Sequence, residues 1–340
     1  MMWNSANYNG KEGVISGKVV IESYNEWGRL REAMVGICDD MVIPEYMPAM
    51  NWMTKWGIEE TQKYGGLKAD EVVPDVMKKM RKQLEDLVSV LEKWGVKVHR
   101  NIPLRYPEEK EFLNSTQKGC YLLGGAGFFR VIGKTVILMG TTMRLPARRK
   151  QVFSVRPVLE ELIKDSDARY VAVPPSSPHY SEDDIYLENG DIMVDGKNVY
   201  VGISQTASNQ AGADWLQRFL GPDYKVYTIK KEPIVFHIDC LCSLTRPGLL
   251  TYYPELVGEL PEPLKDWDKI EVHKEEGEEE AFGANTLTLD ENTVILAEQY
   301  ERVAAEYRKR GMEVITLPLD MCIEYGSGAR CLTGILRRDP

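Results

Sequence analysis

The sequence predicts an α/β fold assembled from five strand–helix–strand units. Two observations carry this expectation. Short apolar runs rich in β-branched residues recur after turn residues, and a segment with apolar residues three and four apart follows each of them. A further short apolar run then follows each helical segment. No long linker or low-complexity stretch interrupts the series, so residues 1–340 read as a single domain.

The first unit is a weaker copy. "LREAMVGIC" (30–38) reads as a strand, residues 73–94 as a long amphipathic helix and "GVKVHR" (95–100) as the returning strand. The second is "GKTVILMG" (133–140), the helical "RKQVFSVRPVLEELIKDS" (149–166) and "RYVAVPP" (169–175). The third is "GKNVYVG" (196–202), "NQAGADWLQRFL" (209–220) and "YKVYTI" (224–229). The fourth is again weaker: "GLLTYYPE" (248–255) leads through a short proline-broken helix to "KIEVH" (269–273). The fifth is "ENTVILAE" (291–298), "QYERVAAEYRKRG" (299–311) and "MEVITLPL" (312–319). Each unit needs a neighbour to cover its apolar face. An open doubly wound sheet shows the same alternation. A closed ring of five units would instead bring the chain ends together and gather loops at one centre.

Bulk properties exclude several classes. With 43% hydrophobic and 28% charged residues the composition is that of a globular protein. The net charge of −10 speaks against generic binding to nucleic acid or anionic membranes, which needs a basic face. No apolar run reaches the roughly 18 residues of a membrane span. The opening "MMWNSANYNGKEG" lacks a secretory pattern, so a cytoplasmic location is expected. The six cysteines are scattered, which argues against a disulfide scaffold. None has zinc-site spacing; Cys240-Leu241-Cys242 lacks a second pair, so no metal is expected. The acidic "HKEEGEEEAFG" (273–283) reads as an exposed loop or flap. The glycine-rich "GGAG" (124–127) lacks both the spacing and the following helix of a dinucleotide site, so no dinucleotide site is expected there.

Three segments place polar groups beside apolar strands. "YLENGDIMVDG" carries Glu188 and Asp191 around Gly190, a residue that suggests a bulge or a close backbone approach. "IVFHIDCLC" carries His237 and Asp239, which would share one face of a strand. "EYGSGARCLTGILRR" carries Cys331. Taken singly, these are a satisfied core histidine, a turn aspartate and a buried thiol. Taken together, they suit an activated thiolate with a histidine proton shuttle.

In this order, Asp191, His237-Ile238-Asp239 and Cys331 resemble the amidinotransferases, the glycine and inosamine-phosphate amidinotransferase branch of the guanidine-modifying superfamily. The likeness runs almost end to end. It includes "SYNEWGRLREAMVG" (23–36), "LQRFLGPDYKVY" (216–227), "GANTLTLDENTVILAE" (283–298) and the final segment from Gly328 to Arg338. The resemblance implies a five-bladed pseudo-symmetric α/β propeller of ββαβ modules. It implies Cys331 as nucleophile, His237 as general acid/base and Asp191 as the group that orients it. Asp239 would hold the substrate guanidinium, with Glu188, Asn285 and Gly127 also at the substrate site. It implies a small-molecule guanidine donor and an amine acceptor, with no cofactor, and allows a homodimer.

The sequence also departs from the pattern. Gly127 and Ala126 stand where the family has the aspartate and arginine of a Pro-Arg-Asp motif. Leu256 stands where glycine-specific members have a carboxylate-binding arginine, and Ile335 where many have an aspartate. Losing a carboxylate that faces a cation weakens binding by a few kcal/mol. Either another acid replaces it, with Glu188 a candidate, or the donor is not plain arginine. The expected activity is amidino transfer from arginine or a related guanidine to a primary amine. Hydrolysis of a guanidino compound by the same thiol is the alternative, and a binding protein that kept the fold is a third reading.

Overall fold

Among the described residues, five three-stranded sheets set the architecture. In a computed structural model of the chain, the structure describes residues 19–51, 53–104, 118–140, 146–177, 181–233, 236–275 and 281–340, without the side chains of residues 49, 125, 126, 146 and 147. The opening stretch 1–13, the centre of the acidic run (276–280) and the side chain of Ala126 lie outside this description.

Strands β1 (Leu30–Val35) and β2 (Lys97–Arg100) belong to the first unit. The second unit holds β3 (Phe129–Ile132), β4 (Thr135–Leu138) and β5 (Arg169–Ala172). The third holds β6 (Ile192–Asp195), β7 (Asn198–Ile203) and β8 (Lys225–Lys230). The fourth holds β9 (Cys242–Arg246), β10 (Leu249–Tyr252) and β11 (Asp268–Glu271). The fifth holds β12 (Leu287–Asp290), β13 (Thr293–Ala297) and β14 (Glu313–Leu317). Strand β15 (Thr333–Arg338) ends the series.

In units two to five, the first two strands form an antiparallel hairpin and the third adds in parallel beside the second. Two hairpins turn on a Gly-Lys pair. Gly133 and Gly196 have φ of +57° and +59°, a backbone conformation that side chains with a Cβ rarely adopt. Three of the middle strands are buried throughout: the "TVIL" of β4, the "LLTY" of β10 and the "TVILA" of β13. A strand covered on both faces reads as an unbroken apolar run, which is why these stretches stood out.

The first sheet closes the ring. Its middle strand β1 pairs in parallel with β2 and antiparallel with β15, matching Leu30 to Arg338 and Val35 to Thr333. The chain's last strand thus supplies the missing half of the first hairpin. The result is five separate three-stranded sheets rather than one open sheet. The fold is a five-module pseudo-symmetric α/β propeller.

Helices cross from the second to the third strand of a unit. They span Pro74–Lys93, Val152–Lys164, Gln210–Leu220 and Glu301–Lys309. The first of these buries Met77, Met80, Leu84, Leu87, Val88 and Leu91 at three- and four-residue spacing. Each such side chain contributes about 1.5–3 kcal/mol on burial. In the fourth unit the crossover shrinks to a single 3-10 turn, Glu262–Leu264, because Pro261 and Pro263 remove amide donors there. Two helices between β1 and the first crossover, Lys55–Tyr64 and Ala69–Val72, carry no repeat signal in the sequence.

The ring's middle is polar. Glu26 lies buried against Arg130 and 3.7 Å from Arg330, and Val194 donates its amide to the carboxylate. Burial alone would raise its pKa, but Arg130, Arg330 and Arg338 outweigh it and hold the group below the usual carboxylate value. Among the described residues, no helix is long and apolar enough to cross a membrane.

Candidate active site

Every expected site residue occupies the same structural slot. Each lies in the short segment that leads into the first strand of a hairpin. Gly127 precedes β3 by two residues, Asn285 precedes β12 by two, and Cys331 precedes β15 by two. Glu188 and Asp191 lead into β6, and His237 and Asp239 lead into β9. Pseudo-symmetry therefore carries residues that are far apart in sequence to one end of the ring.

The local geometry is a turn rather than a strand. His237 is extended and Ile238–Cys240 form a 3-10 turn, so β9 starts only at Cys242. The expectation that "HID" lies within a strand is corrected here. The turn, not strand alternation, brings His237 and Asp239 to one cleft. Asn189–Asp191 form a matching turn before β6. The two turns pack together at Gly190, where an added Cβ would stand 2.5 Å from Cγ and Nδ1 of His237. The close backbone approach expected at Gly190 is thus an approach to the imidazole.

The Cys331 thiol is surrounded by polar groups. Asp239 Oδ1 lies 3.3 Å from Sγ, the Asn285 side-chain amide donates to Sγ at 3.0 Å, and Cys240 Sγ lies 3.9 Å away. The charged His237 imidazole also acts on the thiol. These neighbours, the Cys240 bond first and then the charged imidazole, hold the thiol well below its ordinary pKa against the opposing effect of burial. Burial and the adjacent thiolate push the Asp239 carboxyl well above its ordinary value. Cys240 is pushed up as well, by burial and then by Cys331.

His237 is held from the other side by Glu188. Its Nε2 lies 2.8 Å from Glu188 Oε2, which also accepts a hydrogen bond from Arg148 at 2.7 Å. Burial disfavours the imidazolium, but the Cys331 and Glu188 bonds prevail and raise the pKa to about 10. For Glu188, burial is likewise outweighed by Arg148 and His237, which lower its pKa to about 2.

Roles divide differently from the sequence expectation. Asp191 was expected to orient the imidazole; its carboxylate instead accepts the backbone amides of Ile238 at 2.8 Å and Ser208 at 3.1 Å. It fixes the turn that carries His237. Glu188, expected on the substrate side, is the carboxylate on the ring. Asn285 was expected to meet the substrate. Here it ties the nucleophile turn together, accepting from the Arg330 amide at 2.9 Å and donating to the Asp239 carbonyl at 2.9 Å.

Gly127, Arg148, Asn189, Phe236, His237, Asp239 and Cys331 share one cleft. Its free volume is about 30 Å³, room for roughly two waters. The side-chain oxygen of Asn189, a cleft residue, and the second oxygen of Glu188, its neighbour in the chain, are buried without a hydrogen-bond partner among the described residues. Such orphans are rare in folded proteins and call for a donor. Arg148 stacks over Phe236, its guanidinium 4.4 Å from the ring centroid. Sequence reading missed Arg148, Asn189 and the part played by Cys240. Asn189 adjoins two flagged residues, and Cys240 adjoins Asp239. Arg148 carries no local signal.

No family model matches the chain. It is similar along nearly its whole length to the L-arginine:L-lysine amidinotransferase of Pseudomonas savastanoi pv. phaseolicola. The two are 25% identical over 353 residues, covering 93% of this chain and 94% of the relative. The chain is thus similar to amidinotransferases over nearly its whole length. Solved amidinotransferase structures share its fold. An amidinotransferase from the saxitoxin biosynthetic pathway of Microseira wollei matches with a TM-score of 0.77 at 22% identity, covering 94% of this chain and 98% of that one. The inosamine-phosphate amidinotransferase of Streptomyces griseus matches with a TM-score of 0.76 at 20% identity, covering 95% and 98%.

Proposed function

We propose that the protein is an amidinotransferase that takes an amidino group from L-arginine or a related guanidine onto Cys331 and passes it to a primary amine. One observation carries this reading. A low-pKa thiol stands 3.3 Å from the Asp239 carboxylate, in a cleft where the buried side-chain oxygen of Asn189 lacks a donor. A guanidinium brings five N–H donors in one plane and satisfies acceptors of this kind.

The chemistry follows from these positions. Asp239 holds the guanidinium, and its carboxyl gives up its proton as the cation arrives. The Cys331 thiolate attacks the central carbon, forming a C–S bond. His237 then gives its proton to the departing nitrogen, the C–N bond breaks, and an amidino-cysteine remains. The neutral imidazole next takes a proton from the acceptor amine as its nitrogen attacks the adduct. The C–S bond breaks, and thiolate and imidazolium are restored. Glu188 stabilises the imidazolium, Asp191 fixes the turn beneath it, and Asn285 steadies the nucleophile turn. Every step uses a side chain already named, so the reaction calls for no cofactor.

Gly127 faces the cleft with room for a side chain, since an added Cβ meets nothing nearer than Asn189 Nδ2 at 3.7 Å. We assign Glu188, next to the cleft residue Asn189 and with one unpartnered oxygen, as the second carboxylate at the donor. A whole donor exceeds about 30 Å³, so a wall side chain moves on binding, and Arg148 is the one we assign. The pairing of β1 with β15 supports reading the chain as one domain around one site.

The test is to incubate the protein with L-arginine, with and without a panel of primary amines, while following products and intact mass. Ornithine release that depends on an amine, with an amidino adduct on Cys331, is the expected result. Product formed without any amine would make the protein a hydrolase. Full turnover in Cys331→Ala would overturn the mechanism.

A further inference from the structure

The fold builds a donor set that sequence spacing hides. Asp239, Cys240 and Cys331 bring one carboxylate oxygen and two sulfurs within 4.8 Å of one another. The sulfurs are 3.9 Å apart. Asp239 Oδ1 lies 3.3 Å from Cys331 Sγ and 3.6 Å from Cys240 Sγ.

These edges can be compared with a zinc tetrahedron. Zinc–sulfur bonds of about 2.3 Å and zinc–oxygen bonds of about 2.0–2.2 Å, at the tetrahedral angle, put two sulfurs about 3.8 Å apart and a sulfur and an oxygen about 3.6 Å apart. All three observed edges agree within about 0.3 Å. Cys240 and Asp239 are buried, and Cys331 is half-buried at the cleft, so an ion would be reached through the cleft. Two sulfurs and one oxygen select a borderline-soft divalent ion over magnesium or calcium. The amidino-transfer reading does not use Cys240 as a reacting group.

We propose that Asp239, Cys240 and Cys331 form a zinc site whose occupation silences the nucleophile. Three protein ligands leave the fourth position to water. Binding forms two metal–sulfur bonds and one metal–oxygen bond, and the protons held on those groups pass to solvent. No electron moves. The ion and a guanidinium both require Asp239 and Cys331, so they exclude each other.

The test uses the full chain, kept reduced with a phosphine, and needs no substrate. Cobalt(II) is titrated in as a spectroscopic stand-in, and zinc is then added to displace it. The expected result is one equivalent of cobalt, a sulfur-to-cobalt charge-transfer band in the near ultraviolet, and loss of the band on adding zinc. Cys240→Ala should roughly halve the band and weaken binding by at least about tenfold. Asp239→Asn should keep the band but weaken binding. Zinc should slow iodoacetamide alkylation of Cys331 in the wild type, and do so much less in Cys240→Ala. Circular dichroism checks that each variant folds. No charge-transfer band in the wild type, or equal affinity in folded Cys240→Ala, would overturn the proposal. Neither outcome depends on whether the protein transfers amidino groups.

Discussion

Substituting Gly190 by alanine should uncouple the imidazole from the thiol without removing either. The added Cβ would stand 2.5 Å from Cγ and Nδ1 of His237, whereas ordinary contact begins near 3.4 Å, so the ring must retreat by about 0.9 Å. It has little room to do so. Glu188 holds Nε2 at 2.8 Å, and Phe236 packs edge-on with centroids 4.7 Å apart. Overpacking of this kind costs about 1–3 kcal/mol of stability. A catalytic group displaced by about 1 Å costs about a hundredfold in rate. The thiolate should suffer too. Cys240 offers only a weak neutral S–H donor, so the imidazolium is the main charge that stabilises it. The assay is the pH dependence of iodoacetamide alkylation at Cys331. The wild type should alkylate at pH 7 close to its plateau rate, because its thiol lies well below the ordinary value. In Gly190→Ala a thiol returned to about 8.5 would be only about 3% ionised at pH 7, so alkylation there should fall by about thirtyfold relative to its plateau. A folded Gly190→Ala protein with the wild-type profile would refute the assignment of His237 as the group that activates Cys331.

Three further outcomes follow from the same geometry. Asn285→Ala removes the acceptor for the Arg330 amide and the donor to Asp239 and Cys331, and should cost about 1–3 kcal/mol in denaturant unfolding; an unchanged midpoint would mean that the nucleophile turn holds itself. The histidine–glutamate pair should leave its mark on stability against pH. His237 is raised to about 10, so its contribution is complete below about pH 6.5 and is lost as pH rises through 10. Glu188 is lowered to about 2, so its contribution is complete above about pH 4.5 and is lost as pH falls through 2. Unfolding midpoints of wild type and Glu188→Gln across pH 2–10 should diverge between those limits, and parallel curves would count against the pair. Gly127→Asp has space for its side chain and should lower the KM for L-arginine by at least about tenfold. No change in a folded variant would show that the donor pocket is shaped for another guanidine.

Much of this was legible because it is local. Strand and helix periods are properties of neighbouring residues, so β4, β7 and β13 and their crossover helices stood out from the chain. The weak fourth helix was legible too, because proline acts through its own missing amide. Cys331, His237 and Asp239 drew notice as polar groups beside apolar runs. Other features had no local trace. The helix Lys55–Tyr64 repeats nothing, and Arg148 reaches the cleft only through its tertiary partners Glu188 and Phe236.

The division between Glu188 and Asp191 shows where local reading stops. Three residues apart around a turn, both are carboxylates beside an apolar strand, and nothing in the chain says which meets the ring. Packing against the turn at Ile238–Cys240 decides it, placing Glu188 on the imidazole and Asp191 on the Ile238 amide. Cys240 and Cys331 are 91 residues apart, and their sulfurs meet at 3.9 Å only because the fourth module and the closing strand share one centre. By itself the sequence determined the repeating units and the residue types able to do the chemistry, because both are written in short stretches. The closure of β1 by β15 and the pairing of each side chain with its partner were decided by the tertiary structure alone, because they depend on contacts between segments tens to hundreds of residues apart.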